Sequence, residues 1–257
     1  MDFFSLQPIL IALSVGLASG SIGAFIILKR MALVGDAFSH VALPGIALAL
    51  LYGVDPWWGV VVFLVVAALV VWWLEGKTML PTEALVGLLF VASLAIGILI
   101  IPDHEIIESL FGEFPEMSIL SLAVFLGSAG ALIAISYLFA RHFTFLAISE
   151  ELASISRIGK WHQILFLVIF ALIVSLGIKL VGTLLMGALA IIPPLIAKNL
   201  SRTMKGYMAF SSVIGGAVAV AGLGAARYYE FLPGPTIVLL GVGIFFLTLP
   251  FARGNSA

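Results

Sequence analysis

The sequence predicts an all-α, polytopic transmembrane bundle of eight or nine spans, and three observations carry that expectation. Hydrophobic residues fill 63% of the 257 positions and charged residues only 10%, against about 45–50% and about 25% in soluble domains. Nine apolar runs have the roughly 17–25-residue length that an α-helix needs to cross a hydrocarbon core. The basic residues between those runs fall almost entirely on one side of the membrane.

In chain order the runs cover about 7–28, 32–53, 56–74, 83–101, 117–140, 162–179, 181–198, 206–226 and 235–252. The first follows Met1-Asp2 with no basic region and is long enough to remain a span, so it does not read as a cleavable signal peptide. The two runs flanking Lys179 are short and nearly continuous, and Pro193-Pro194 interrupts the second. Eight spans with one broken or tilted segment is therefore the alternative count. With the amino terminus outside and the carboxyl terminus inside, Lys29, Arg30, Lys77, Arg141, Arg157, Lys160, Lys198, Arg202, Lys205 and Arg253 lie on the cytoplasmic side, and only Lys179 and Arg227 lie outside. Asp2, Asp55, Asp103, Glu105, Glu108, Glu113, Glu116 and Glu230 fall outside, where a negative field would concentrate cations. The 26 glycines include Gly16 and Gly20, Gly215-Gly216, Gly222 and Gly224, and Gly241 and Gly243, and read as close helix packing. With no cysteine, a disulfide framework, a zinc finger and a thiolate copper site are excluded.

One span carries chemistry. Met31–Tyr52, MALVGDAFSHVALPGIALALLY, holds a carboxylate at Asp36 and an imidazole at His40, and ionisable groups inside lipid are expensive enough that function is their default reading. Four residues apart on a helix, the two side chains share one face and converge on a point a divalent cation could occupy. The same pair fits a structural role equally well, pairing with each other or capping a neighbouring helix.

Two connections are longer than the rest. The outer one, IPDHEIIESLFGEFPEMS, carries Asp103, His104, Glu105, Glu108, Glu113 and Glu116, and suits a cation antechamber, a docking surface for a delivery protein, or a solvated loop. In the inner one, RHFTFLAISEELASISRIGKW, Ser149 is a good N-cap, Glu150 and Glu151 favour the first-turn dipole, and Gly159-Lys160 makes a stop. A short cytoplasmic helix over 150–158 follows, either a handle for another protein or an interfacial helix on the headgroups.

The run GDAFSHVALPGIAL at 35–48 closely resembles the signature of the permease subunits of ATP-binding-cassette importers for zinc, manganese and, in some members, iron. PTEALVGLLFVASLAIGIL at 81–99, ESLFGE at 108–113, VSLGIKLVGTLLMGALAIIPPLIAKNL at 174–200 and LPGPTIVLL at 232–240 resemble that family's other blocks in their order, so the likeness covers nearly the whole chain. It implies a single permease domain over 1–257 in a prokaryotic plasma membrane. Asp36 and His40 then fall on the family's metal-contacting acid and histidine, with Gly35, Ser39, Pro44 and Gly45 supporting the motif, Ser39 beside the ligands and Pro44 as a kink. ISEELASISRIG, with Ser149, Glu150, Glu151, Ala153 and Gly159, resembles the coupling helix, about 149–160, that seats in the cytoplasmic ATPase subunit. Two departures stand out: relatives commonly carry an acid near the start of this segment, where this chain has Ser149, and an aspartate where it has Glu83.

The resemblance further implies a permease dimer with two ATPases, an extracytoplasmic metal-binding protein and surrounding lipid as partners, and no nucleic acid. The chain is not expected to be an enzyme: no GxxxxGK[ST] phosphate loop is present, because Val71 stands where Gly76-Lys77-Thr78 would need a glycine. A two-fold axis would bring two copies of Asp36 and His40 together as up to four nitrogen and oxygen ligands. No permanently bound cofactor is expected, only the transported ion, with ATP used by the partner. Such ligands suit Zn²⁺, Mn²⁺ or Fe²⁺, while the missing cysteines and seven scattered methionines speak against Cu⁺. His104, His142 and His162 are assigned no chemistry. An ATP-independent secondary transporter or channel could use the same pair, and only the coupling-like segment argues against it. A metalloprotease would need H-E-x-x-H, which is absent.

Overall fold

The computed structural model describes residues 6–78, 80–100, 117–148, 160–183 and 185–251. These residues form α1 (Leu6–Leu28), α2 (Ala32–His40), α3 (Leu43–Leu51), α4 (Pro56–Lys77), α5 (Thr82–Ile100), α6 (Ile119–Leu138), α7 (Ala140–Ile148), α8 (Lys160–Val181), α9 (Met186–Leu200), α10 (Met204–Tyr229) and α11 (Pro233–Thr248), closed by a 3₁₀ turn at Leu249–Phe251. No strand occurs among them.

Every predicted run is helical, but the count of full-length spans is lower than eight or nine. Seven helical segments among the described residues are long and apolar enough to cross a membrane, with α2 and α3 together making one of them, Ala32–Leu51. Thr82–Gly97 in α5 and Met186–Leu200 are apolar but shorter. The uncertain region after Lys179 resolves into two helices: α8 ends at Val181, before Gly182, whose φ of 80° suits a glycine, and α9 keeps Pro193 and Pro194 inside the helix. The coupling segment expected over 149–160 and the acidic outer loop over 103–116 lie outside the described residues, apart from Lys160 at the start of α8.

The helices are apolar nearly all round, so hydrophobic sidedness cannot choose their neighbours; small residues do. The buried helix α1 packs along α10, with α9, α6 and α8 completing its surround. At the α1–α10 crossing a methyl group on Gly20 would lie 2.7 Å from the Ser211 carbonyl carbon and 2.8 Å from the Ser212 Cα, and Gly16 and Gly215 meet backbone to backbone one turn away. The Ser212 hydroxyl donates to the Leu17 carbonyl at 2.7 Å, and Ser211 donates to that of Gly20. Close approach thus turns two serines into interhelical hydrogen-bond donors. At one end of the bundle, Phe25 of α1, Phe143 of α7 and Phe166 of α8 stack edge to face, with centroids 5.6 and 5.4 Å apart, seating α7 on the two central helices.

Helix α4 carries aromatic rings at both ends, Trp57 and Trp58 at its start and Trp72 and Trp73 near its close, with Trp58 and Trp73 exposed. Exposed Tyr52, Tyr228 and Tyr229 lie at the same end of the bundle as the first pair by chain order, and Trp161 lies at the end of the second. This is the two-belt pattern of a membrane-embedded protein.

Candidate functional site

The second span is broken in the middle, immediately after His40. Helix α2 stops there, Val41 and Ala42 form the junction, and α3 begins at Leu43 with Pro44 in its first turn. The cause is local: Pro44 has no N–H to donate to the His40 carbonyl four residues back, and its ring crowds that carbonyl. A broken helix inside a membrane is tolerated where it lines a path, and the carboxyl end of the first half carries partial negative charge that favours a cation.

Asp36 and His40 both lie on α2, one turn apart, with the carboxylate half-buried and the imidazole buried at 7% exposure. The opposite face of α2 is anchored by Phe38, fully buried, whose ring lies 5.4 Å from Phe170 of α8. The His40 ring packs against Phe90 of α5 at 5.4 Å, and its Nδ1 is buried with no hydrogen-bond partner. An orphaned imidazole nitrogen at that depth costs free energy unless something completes it.

The supporting residues divide by role. The Ser39 hydroxyl donates to the Asp36 carbonyl at 2.7 Å, so it braces its own helix. Gly45 lets α3 meet α4: a methyl group there would lie 2.7 Å from the Phe63 Cβ and 2.9 Å from the Gly59 carbonyl carbon. Gly35 has ordinary room, since a methyl group there would lie 3.8 Å from the Gly187 Cα. Gly187 itself, in the first turn of α9, is crowded against Asp36, with a methyl group there 2.6 Å from the Asp36 nitrogen and 2.9 Å from its Cβ.

Phe90, Phe170 and Gly187 were not singled out from the sequence: Phe90 and Gly187 lie in the blocks 81–99 and 174–200, but nothing in those blocks ties either residue to Asp36 or His40. Glu83, the departure from the aspartate pattern, is exposed at the start of α5. Glu75 is more buried: one carboxylate oxygen accepts from the Thr82 hydroxyl at 2.6 Å and the other is buried without a hydrogen-bond partner. The structure also brings together His142 and His162, whose rings stack at 4.6 Å and 14° between α7 and α8. Burial first, then the neighbouring His162 and Arg141, hold the His142 imidazole below its ordinary range. Stacked rings point their lone pairs in parallel planes, a poor arrangement for sharing one ion.

No group of three or more His, Asp, Glu or Cys that could hold a metal ion occurs among the described residues. Among the described residues, one copy of the chain brings one acid and one imidazole to the break in α2–α3.

The manganese import system permease protein ScaB of Streptococcus gordonii is 28% identical over 254 residues, covering 96% of this chain and 91% of the relative. The high-affinity zinc uptake system membrane protein ZnuB of Buchnera aphidicola is 30% identical over 240 residues, covering 90% and 91%. Among solved structures, PsaBC from Streptococcus pneumoniae in complex with Fab superposes with a TM-score of 0.83 at 27% identity, covering 96% of this chain and 91% of that one. The model of the ABC 3 transport family matches residues 1–252, and the chain belongs to that family.

Proposed function

We propose that the chain is the membrane-spanning subunit of an ATP-driven importer that carries a divalent transition-metal ion into the cytoplasm, and that Asp36 and His40 hold the ion at the break in the second span. The observation that carries this reading is the orphaned, buried imidazole of His40 one helical turn from a half-buried carboxylate. Family membership and relatives named for manganese import and zinc uptake agree with it. Two neutral imidazoles and two carboxylates, contributed by two copies about a two-fold axis, would balance the charge of a divalent ion and complete its coordination.

ATP is hydrolysed by a separate cytoplasmic subunit, which engages the segment around Ser149, Glu150, Glu151, Ala153 and Gly159. An extracytoplasmic binding protein delivers the ion to the outer face, where the amino terminus lies. The helices flanking the coupling segment, α7 and α8, supply a physical route to the ion: α8 touches α2 through the Phe170–Phe38 contact. Movement of α8 would therefore shift the helix that bears both ligands, opening the site inward.

The test is uptake of radiolabelled Zn²⁺, Mn²⁺ and Fe²⁺ in proteoliposomes holding this chain, its ATPase and its binding protein. ATP-dependent accumulation of one ion, abolished in Asp36→Ala and His40→Ala complexes that still assemble, is the expected result. Uptake that persists without ATP, or that survives both substitutions, refutes the proposal.

A further inference from the structure

The ion-bearing helix meets a glycine of another helix at very close range. At Gly187 a methyl group would fall 2.6 Å from the Asp36 backbone nitrogen and 2.9 Å from its Cβ, and closer still to its Cα. Real Cβ atoms essentially never come within 3.0 Å of another heavy atom of this kind, so any other residue at 187 must displace either α9 or Asp36. The rest of α2 is held firmly, by Phe38 against Phe170 and by the His40 ring against Phe90. Displacement therefore falls on the stretch carrying the carboxylate, on the N-terminal side of both anchors and one turn before His40.

The neighbouring segments fix where Gly187 itself sits. The turn before α9 contains Gly182 in the left-handed region and a fully buried Thr183. Farther along α9, the Ala190 carbonyl lies against the Gly23 backbone of α1, and that carbonyl is one of two freed inside the helix by Pro193 and Pro194. The first two turns of α9 are thus clamped between α1 and α2, with the proline pair separating them from the cytoplasmic end.

Resting on the reading of Asp36 as an ion ligand, we propose that Gly187 is a positioning residue that sets where the Asp36 carboxylate stands relative to His40, and so governs ion affinity. It touches no ion itself. Its role is to let the α9 backbone press directly on the Asp36 backbone, a placement accurate to tenths of an ångström that no side chain permits.

The test is equilibrium binding of radiolabelled Mn²⁺ and Zn²⁺ to the complex of this chain with its ATPase in lipid nanodiscs, without the binding protein. Gly187→Ala is expected to weaken binding at least tenfold in complexes that assemble, and to have no further effect in an Asp36→Asn background. Gly215→Ala is the control for packing damage, because a methyl group there meets the Gly16 backbone far from α2. It should lower thermal stability and leave binding unchanged. Should Gly187→Ala fail to assemble, Gly35→Val presses on the same contact from the α2 side, where a Cβ has room, and is expected to weaken binding in the same direction. Binding lost in Asp36→Asn yet unchanged in the position-187 variant, or in Gly35→Val when that variant stands in, overturns this inference alone. Binding insensitive to Asp36→Asn overturns the ion-ligand reading as well. A loss in Gly215→Ala as large as that in Gly187→Ala reduces the effect to general packing and overturns the positioning role.

Discussion

Replacing Pro44 by alanine should stabilise the protein and disable it. The two junction residues already stand close to helical geometry, Val41 at φ −61°, ψ −18° and Ala42 at φ −68°, ψ −24°. Little besides the proline therefore keeps α2 and α3 from merging into one continuous helix. A proline inside a helix costs about 3 kcal/mol relative to alanine, whereas in a first turn it is tolerated. Pro44→Ala thus favours the continuous form by up to about 3 kcal/mol, and at 1.4 kcal/mol per factor of ten that is about two orders of magnitude in population. Straightening would restore a donor to the His40 carbonyl and pull α3 away from its glycine contact with α4 at Gly45 and Gly59. The assay pairs thermal unfolding in detergent with ATP-driven ion uptake in proteoliposomes. The melting temperature should hold or rise while uptake falls at least tenfold. Uptake at the unsubstituted rate, in protein of equal or greater stability, would show that the break is incidental and the reasoning wrong.

Gly20→Ala drives a methyl group into the Ser211–Ser212 backbone and should cost about 1–3 kcal/mol from overpacking, with about 1 kcal/mol more for each serine hydrogen bond lost; a melting temperature within a degree of the parent would contradict the backbone-to-backbone packing of α1 on α10. Phe170→Ala removes the ring that joins α8 to Phe38, so ATP hydrolysis by the complex should continue while ion uptake drops severalfold, and an unchanged ratio of ions to ATP would remove α8 from the route. His142 is held below the ordinary imidazole value of 6.5, so the folded state favours the neutral imidazole, and stability present above that value is lost as pH falls below it. Melting temperatures measured from pH 7.5 down to pH 5 should decline, and His142→Gln should flatten the decline; an equally steep decline in the variant assigns it to other groups.

Much of the fold was legible because lipid makes length and charge decisive. Every apolar run became helical, and the Asp36–His40 pair stood out because ionisable groups are rare in such a setting. The proline in the following turn was readable as a kink, and the structure turns it into a full break after His40. What could not be read was which helix faces which. A helix apolar on every side carries no periodic signal of its buried face, so the approach of Gly187 to Asp36, 151 positions earlier in the chain, has no local trace in either segment. The same holds for Phe90 beside His40 and for the stacking of His142 on His162, which are products of helix docking. Glu75 was overlooked for a different reason: near the end of an apolar run an acid reads as solvated, and only the fold shows one of its oxygens buried.

The tryptophan pairs of α4 act as a depth gauge. From Trp57 to Trp72 the helix advances 15 residues, about 22 Å at 1.5 Å per residue, which is less than the roughly 30 Å of an average hydrocarbon core. Tilting would shorten that reach further, so α4 favours an upright stance with the bilayer drawn thin around it. Helix α10, at 26 residues, is about 39 Å long and must lean or protrude in the same membrane. The upright α4 gives the bundle a vertical reference, and the half-helix α3 is pinned to it through Gly45 and Gly59. The acyl-chain length of the surrounding lipid thereby becomes a lever on the level at which the broken span sits.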